Sequence, residues 1–108
     1  MPDTPPFQAE PFAPEPGVIR LALKGALDYS TAPDVPAMVP ELFADGPHTL
    51  ELDLSGLEFV DSSGLAALLE LHRACAAQGA HLRIVALTPH LSHLLEVTML
   101  DEVFDLPG

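Results

Sequence analysis

The sequence has few basic residues and a single cysteine. Four lysines and arginines stand against sixteen aspartates and glutamates, so the formal net charge is -12 over 108 residues. This charge would repel a phosphate backbone, which argues against direct nucleic-acid binding and leaves two roles for the acidity: solubility, or recognition of a basic partner. Cys75 cannot form an internal disulfide, and its Ala/Leu-rich helical surroundings predict a small core residue in a reducing compartment.

Long apolar runs are also missing from the chain. No stretch approaches the roughly 18 consecutive apolar residues of a membrane-spanning helix. The first 16 residues contain neither a basic residue nor a continuous apolar segment, which are the two features of a secretory signal. We therefore expect a cytoplasmic protein without membrane insertion.

Prolines are concentrated near the start of the chain. Half of the 12 prolines fall within residues 1–16, and each one removes a backbone donor and restricts φ. This pattern predicts a Pro-rich arm or a short edge strand at residues 1–16, followed by one folded domain at residues 17–108. We also expect deletion of residues 1–12 to leave the melting midpoint almost unchanged.

Several later segments have the alternating pattern of half-buried strands. Apolar and polar residues alternate along 18–24, 50–54 and 81–87, and a short final strand is expected at 103–106. Because fully covered parallel strands are continuously apolar, the alternation predicts helices on only one face of the sheet. The polar side chains expected on the opposite face are Arg20, Lys24, Glu51, Asp53 and Arg83.

Helical patterns lie between these strands. Apolar residues at i, i+3, i+4 and i+7 predict a helix from about Leu65 to Gly79, and His72 falls within its buried stripe. Thr88-Pro89 is typical of a helix cap and first turn. Three prolines within residues 31–43 leave room for only a short or irregular helix there.

Strands that alternate with helices predict right-handed βαβ units with sequential strand order. The loops that follow the strands then emerge at the carboxyl edge of the sheet, where ligands and partners of α/β proteins usually bind. We therefore expect Asp28, Asp61-Ser62 and Thr88 to lie near one another.

The segment at residues 50–71, LELDLSGLEFVDSSGLAALLEL, carries the most information about function. It reads as a strand, a loop of about seven residues, and then Asp61-Ser62-Ser63-Gly64 at the start of a helix. Aspartate and serine are strong capping residues, so a simple helix cap is one interpretation of this motif.

Other segments match a family pattern in the same order. Residues 50–71 resemble the signature of the STAS family, and Gly25-Ala26-Leu27-Asp28 resembles its Gly-x-Leu-Asp element. Residues 79–82 and 94–98 resemble the glycine before its next strand and its last amphipathic helix. The resemblance spans residues 17–106 and implies an α/β fold with a mixed, mostly parallel sheet of four to five strands and helices on one face.

The antagonist branch of this family supplies an expected function. There the serine directly after the aspartate is phosphorylated by a kinase that is also an anti-sigma factor, and by position that serine is Ser62. The resemblance implies that the unmodified protein binds this serine kinase, that phosphorylation releases it, and that a serine phosphatase reverses the change. It implies no cofactor, metal or enzymatic activity of its own. The residues expected to contact the partner are Asp28, Asp61, Ser63, Gly64 and Leu65.

Two other roles remain open within the family. Gly64-Leu65-Ala66 also occurs in STAS subunits of phospholipid transport complexes, and stressosome-type scaffolds keep phosphorylatable residues in this loop. Met99 stands where a Thr-Gly-Leu turn is common, which removes a glycine suited to positive φ. A serine hydrolase is disfavoured because Val60 occupies the position of the first glycine in a nucleophile elbow.

Overall fold

The computed structural model describes residues 6–46 and 48–107. One four-stranded sheet has the order β1-β2-β3-β4, with β1 antiparallel to β2 and the other neighbours parallel. The predicted α/β class with a mixed, mostly parallel sheet is therefore confirmed. Its elements are β1 Gln8–Glu15, β2 Val18–Leu27, α1 Asp34–Ala37, α2 Val39–Leu42, β3 Thr49–Val60, α3 Ser62–Ala77, β4 His81–Leu87, α4 Pro89–Val97 and a 3-10 turn at Leu100–Glu102.

The core lies between the sheet and the helices. Period-two alternation along the strands and the apolar stripe of α3 place leucines on facing surfaces. Burial of each such side chain contributes about 1.5–3 kcal/mol before the entropy cost of folding. Most of the completely buried side chains are leucines, among them Leu21, Leu23, Leu50, Leu52, Leu54, Leu68 and Leu71.

The opposite face of the sheet is polar, as predicted. Arg20 pairs with Glu51 across β2 and β3 at 2.8 Å, and Lys24 pairs with Glu10 of β1 at the same distance. Arg83 of β4 occupies the position beside Glu51 in the parallel register. The Lys24–Glu10 pair is exposed and contributes at most about 1 kcal/mol. The Arg20–Glu51 pair is partly buried, since the Glu51 side chain is only 14% exposed.

The N-terminal proline-rich segment contributes an edge strand. Residues 8–15 form β1, which pairs with β2, and Phe7 and Ala9 pack against the core. Proline is tolerated here because the outer side of an edge strand needs no ladder partner. This pairing argues against the expectation that residues 1–12 are dispensable. The domain boundary at residue 17 stays a prediction, and residues 1–5 lie outside the described part.

Two strands are longer than the sequence pattern indicates. We expected β2 to end at Gly25 and a loop to follow Leu54, but β2 continues to Leu27 and β3 to Val60. The pairing of β2 with β3 contains register shifts near Lys24 and Gly25. The φ angle of Gly25 is +85°. Bulges of this kind break the alternation that identifies a strand, while parallel pairing continues to satisfy the backbone.

The region before β3 is helical but broken. α1 and α2 are each four residues long and meet at Met38. This confirms the short, irregular helix expected from the prolines within residues 31–43. Val35 and Val39 are the buried residues that attach the two turns to the core.

The prediction of a final strand at residues 103–106 is wrong. Within the described part of the chain this segment forms a single bridge, between Asp105 and Arg83 of β4, after the 3-10 turn. Phe104 is buried and meets the His72 ring edge to face, with 5.5 Å between ring centroids. His72 is therefore half-buried on α3 against Phe104, and this side-chain contact helps to attach the last segment. Across residues 6–46 and 48–107, no helix has the length and apolar character needed to span a bilayer.

Candidate functional site

The ends of β2 and β3 bring two acidic loops together. Leu27 pairs with Val60 at the last position of the ladder, and the Asp61 backbone N–H donates to the Leu27 carbonyl at 3.3 Å. The Tyr29 backbone N–H in turn donates to Asp61 Oδ2 at 3.2 Å. The predicted proximity of Asp28 to Asp61-Ser62 is therefore confirmed.

Asp61 also caps α3. Its backbone is extended, with φ -100° and ψ -173°, and its Oδ1 accepts a hydrogen bond from the Gly64 N–H at 2.9 Å. One carboxylate thus satisfies an amide of the first helical turn and fastens the β2 loop to the same point. The simple cap interpretation of the motif is correct, and it leaves the next residue free for another role.

Ser62 is the first residue of α3 and is exposed. Ser63, the second residue, is half-buried. A group attached to Ser62 would project from a helix N-terminus, where the macrodipole favours negative charge. The local geometry therefore offers an accessible hydroxyl at a position that tolerates an anion.

Gly64 and Leu65 lie beneath this surface. Leu65 is 8% exposed and belongs to the core. A methyl group on Gly64 would overlap the backbone carbonyl oxygen of Leu27 and press on the side chain of Val60. The glycine of the Asp61-Ser62-Ser63-Gly64 motif thus lets α3 start directly against β2, so both residues support the site from within.

The Asp28 loop is held by its own hydrogen bonds. Asp28 Oδ1 accepts from the Ser30 hydroxyl at 2.7 Å, from the Ser30 N–H at 3.0 Å and from the Thr31 N–H at 3.3 Å. The Ser30 hydroxyl is the main cause of a pKa for Asp28 below its ordinary value, with the two backbone donors adding to it. Asp28 is therefore ionised throughout the neutral pH range.

Two aromatic residues that sequence reasoning missed border the same edge. Tyr29 is 82% exposed and Phe59 is 49% exposed. With Asp28, Ser30 and Asp61 they line a surface recess of about 430 Å³. The position of Tyr29 directly after Asp28, in a loop at the carboxyl edge, could have indicated from the sequence that it borders the site. Phe59 gave none, because it lies in the part of β3 that was expected to be a loop.

Thr88 does not join this site, contrary to expectation. Leu87 pairs with Leu54, whereas β3 continues for six more residues before it reaches Val60. The end of β4 therefore lies beside the middle of β3. Thr88 instead caps α4, where its hydroxyl accepts from the Leu91 N–H at 3.1 Å.

Comparison with known proteins identifies a matching domain. A family model described as "Mlab, STAS domain" matches residues 12–107. The anti-sigma-F factor antagonist RsfB of Mycobacterium tuberculosis is 40% identical over 52 residues. That alignment covers 48% of this chain and 43% of the relative, so the chain spans less than half the length of this curated protein.

Solved structures extend the similarity to nearly the whole chain. An anti-sigma factor antagonist from Mycobacterium paratuberculosis superimposes with a TM-score of 0.79 at 27% identity, over 95% of this chain and 86% of that one. The Bacillus protein SpoIIAA in its phosphorylated form has a TM-score of 0.67 at 20% identity, over 95% and 92% of the two chains. The second likeness concerns the fold alone.

Proposed function

Because this chain belongs to the STAS domain family, we propose that it is an anti-sigma factor antagonist. In this proposal it binds an anti-sigma factor serine kinase in the cytoplasm, and phosphorylation of Ser62 releases it. One observation carries the proposal: Ser62 is exposed at the first position of α3, directly after the capping Asp61. The names of RsfB and of the Mycobacterium paratuberculosis protein support it.

The partner supplies the catalysis in this scheme. The γ-phosphoryl group of ATP passes to the Ser62 hydroxyl oxygen, the serine proton leaves, and ADP remains on the kinase. This chain needs only to present an accessible hydroxyl on a rigid helix start, which Asp61 provides through its bonds to Gly64 and Tyr29. Gly64 and Leu65 would position the docking surface, while Asp28, Asp61 and Ser63 would meet the partner. A serine phosphatase would restore the binding form.

Phosphorylation should leave the fold intact. A phosphoryl group adds about -1.5 to -2 charges at neutral pH, and at a helix N-terminus this charge is tolerated or stabilising. Because Ser62 is exposed, the added atoms displace no core side chain. Local unfolding is therefore not the expected cause of release.

Charge repulsion is the expected cause of release instead. The phosphoserine would follow Asp61 directly and would lie on the same edge as Asp28. It would also face the nucleotide phosphates that any kinase holds in its active site. Like charges brought together in an interface cost several kcal/mol, and each 1.4 kcal/mol weakens affinity tenfold.

The deciding experiment measures the affinity of the kinase for unmodified and phosphorylated protein, with a circular dichroism melt of each. We expect binding only of the unmodified form and near-equal melting curves. Ser62→Ala should bind and resist release by ATP, Ser62→Asp should weaken binding partly, and the neighbouring Ser63→Ala should still be released. Equal affinity of the two forms, or a large loss of helix on phosphorylation, would contradict the mechanism.

A subunit of a phospholipid transport complex is the second candidate. Gly64-Leu65-Ala66 favours it, because this sequence also occurs in STAS subunits of such complexes, and Ala66 is exposed on α3. Neighbouring genes separate the two candidates: an anti-sigma kinase gene supports the first, and transporter ATPase and permease genes support the second. A broad esterase assay on wild type and Ser62→Ala separates both from a serine hydrolase, since a binding module has no serine-dependent turnover.

A further inference from the structure

The recess beside Ser62 combines exposed aromatic rings with carboxylates. Tyr29 and Phe59 form its apolar walls, and Asp28 and Asp61 contribute the acidic groups. Tyr29 is the most exposed of the large apolar side chains in the described residues, at 82%. Exposed aromatic residues next to polar groups are enriched at protein interfaces, where they often dominate the binding energy.

No cation of the described residues pairs with the carboxylates of this recess. The chain has only four lysines and arginines. Arg20, Lys24 and Arg73 form ion pairs with glutamates elsewhere, and Arg83 lies beside Glu51 on the polar face of the sheet. The recess therefore presents negative charge that a partner can neutralise.

A similar set of groups already holds a guanidinium on the polar face of the sheet. The Arg20 guanidinium lies 2.8 Å from Glu51 Oε1, and its central carbon is 5.7 Å from the centre of the Phe12 ring. Guanidinium is planar and weakly hydrated, so it can stack on a ring while it pairs with a carboxylate. Lysine lacks this planar surface and keeps a stronger hydration shell.

We propose that the recess binds an arginine side chain of the partner, stacked on Tyr29 and Phe59 and paired with Asp28. This inference rests on the proposed function for the identity of the partner, but the chemistry of the recess can be tested without it. Tyr29 is then a specificity-determining residue of the interface. Its side chain contacts the partner next to the phosphorylated serine and selects arginine over lysine.

The test is a titration of the isotopically labelled full chain with N-acetyl-arginine amide, followed by amide NMR shifts. The neutral isostere N-acetyl-citrulline amide and N-acetyl-lysine amide serve as comparison probes. We expect saturable shifts at Tyr29, Ser30 and Asp61, with the citrulline probe roughly tenfold weaker because it lacks both the charge pairing and the cation–π contact. The lysine probe should bind more weakly than the arginine probe.

Matched variants assign the effect to named side chains. Tyr29→Ala should weaken the arginine probe about threefold to fivefold, the equivalent of a surface cation–π contact. Asp28→Asn keeps the oxygen that accepts the Ser30 and Thr31 hydrogen bonds but removes the charge, and it should cause a loss of similar size. Phe12→Ala is the control, because Phe12 lies on the polar face of the sheet and outside the recess, and it should leave the probe affinity unchanged.

Several results would overturn the inference. These are shifts confined to other surfaces, the absence of saturable shifts, equal affinity for the citrulline probe, or full affinity in Tyr29→Ala. Failure of the proposed function is distinguishable, because the arginine probe would still bind the recess while the kinase neither bound the chain nor phosphorylated Ser62. Kinase binding that is unaffected by Tyr29→Ala would leave the function intact and refute the arginine contact.

Discussion

Replacing Gly64 with alanine tests how α3 is seated on the sheet, because helix propensity and packing predict opposite signs. Gly64 is the third residue of α3, and alanine in a helix is favoured over glycine by up to about 1 kcal/mol. A view of the helix alone therefore predicts stabilisation. In the folded domain, however, the added methyl group meets the Leu27 backbone carbonyl and the Val60 side chain.

The size of the effect follows from the rigidity of that obstacle. Forcing a methyl group into packed surroundings costs about 1–3 kcal/mol, and a strand carbonyl cannot move aside as a side-chain terminus can. We take the upper part of this range and subtract the gain in propensity, which leaves a net loss of about 1–2 kcal/mol. For a domain of this size the melting midpoint should fall by roughly 5–15 °C.

Thermal and urea denaturation of Gly64→Ala provide the assay. Ala66→Gly is the matched control, because Ala66 lies two residues later in the same helix and is exposed. This substitution should lower the free energy of unfolding by about 1 kcal/mol through helix propensity alone. We expect both substitutions to destabilise the domain, although one replaces glycine with alanine and the other replaces alanine with glycine. A melting midpoint that rises in Gly64→Ala would refute the close packing of α3 against β2.

Three further predictions concern other parts of the chain. Met99 adopts φ +61° and is 64% exposed, so Met99→Gly should remove backbone strain and raise stability by roughly 0.5–1 kcal/mol in a urea titration; a loss would show that its side chain contributes packing. Burial raises the pKa of Cys75 to about 11, so a thiol reagent at pH 8 should react only at the rate of opening. Because the folded-state pKa lies above the ordinary value of 9.0, the contribution of this thiol to stability is fully present below that value and is lost as pH rises through about 11. Rapid labelling of the folded protein at pH 8 would contradict the burial of the thiol. Deletion of residues 1–12 removes most of β1 and should lower the melting midpoint by more than about 10 °C, whereas an unchanged midpoint would restore the interpretation of this segment as a dispensable arm.

The sequence by itself determined the type of most elements and the location of the candidate phosphorylation site. Alternating leucines identify the strands, the helical stripe identifies α3, and Thr88-Pro89 marks the start of α4. These signals are local, because side-chain periodicity and capping depend on residues only a few positions apart. The order of the motif segments along the chain was enough to indicate the family before any geometry was known.

Tertiary structure decided the strand ends and the surface around Ser62. β2 and β3 continue past Gly25 and Leu54 because each provides backbone partners for the other, through bulges that disrupt the local pattern. Residues 103–106 have the composition of a strand, but they form one bridge to the other described residues, since ladder formation requires a neighbour in register. The exposure of Tyr29 and Phe59, and the distance of Thr88 from them, follow from how far each strand extends. Pairing between segments distant in sequence sets those lengths, and no pattern within one segment encodes them.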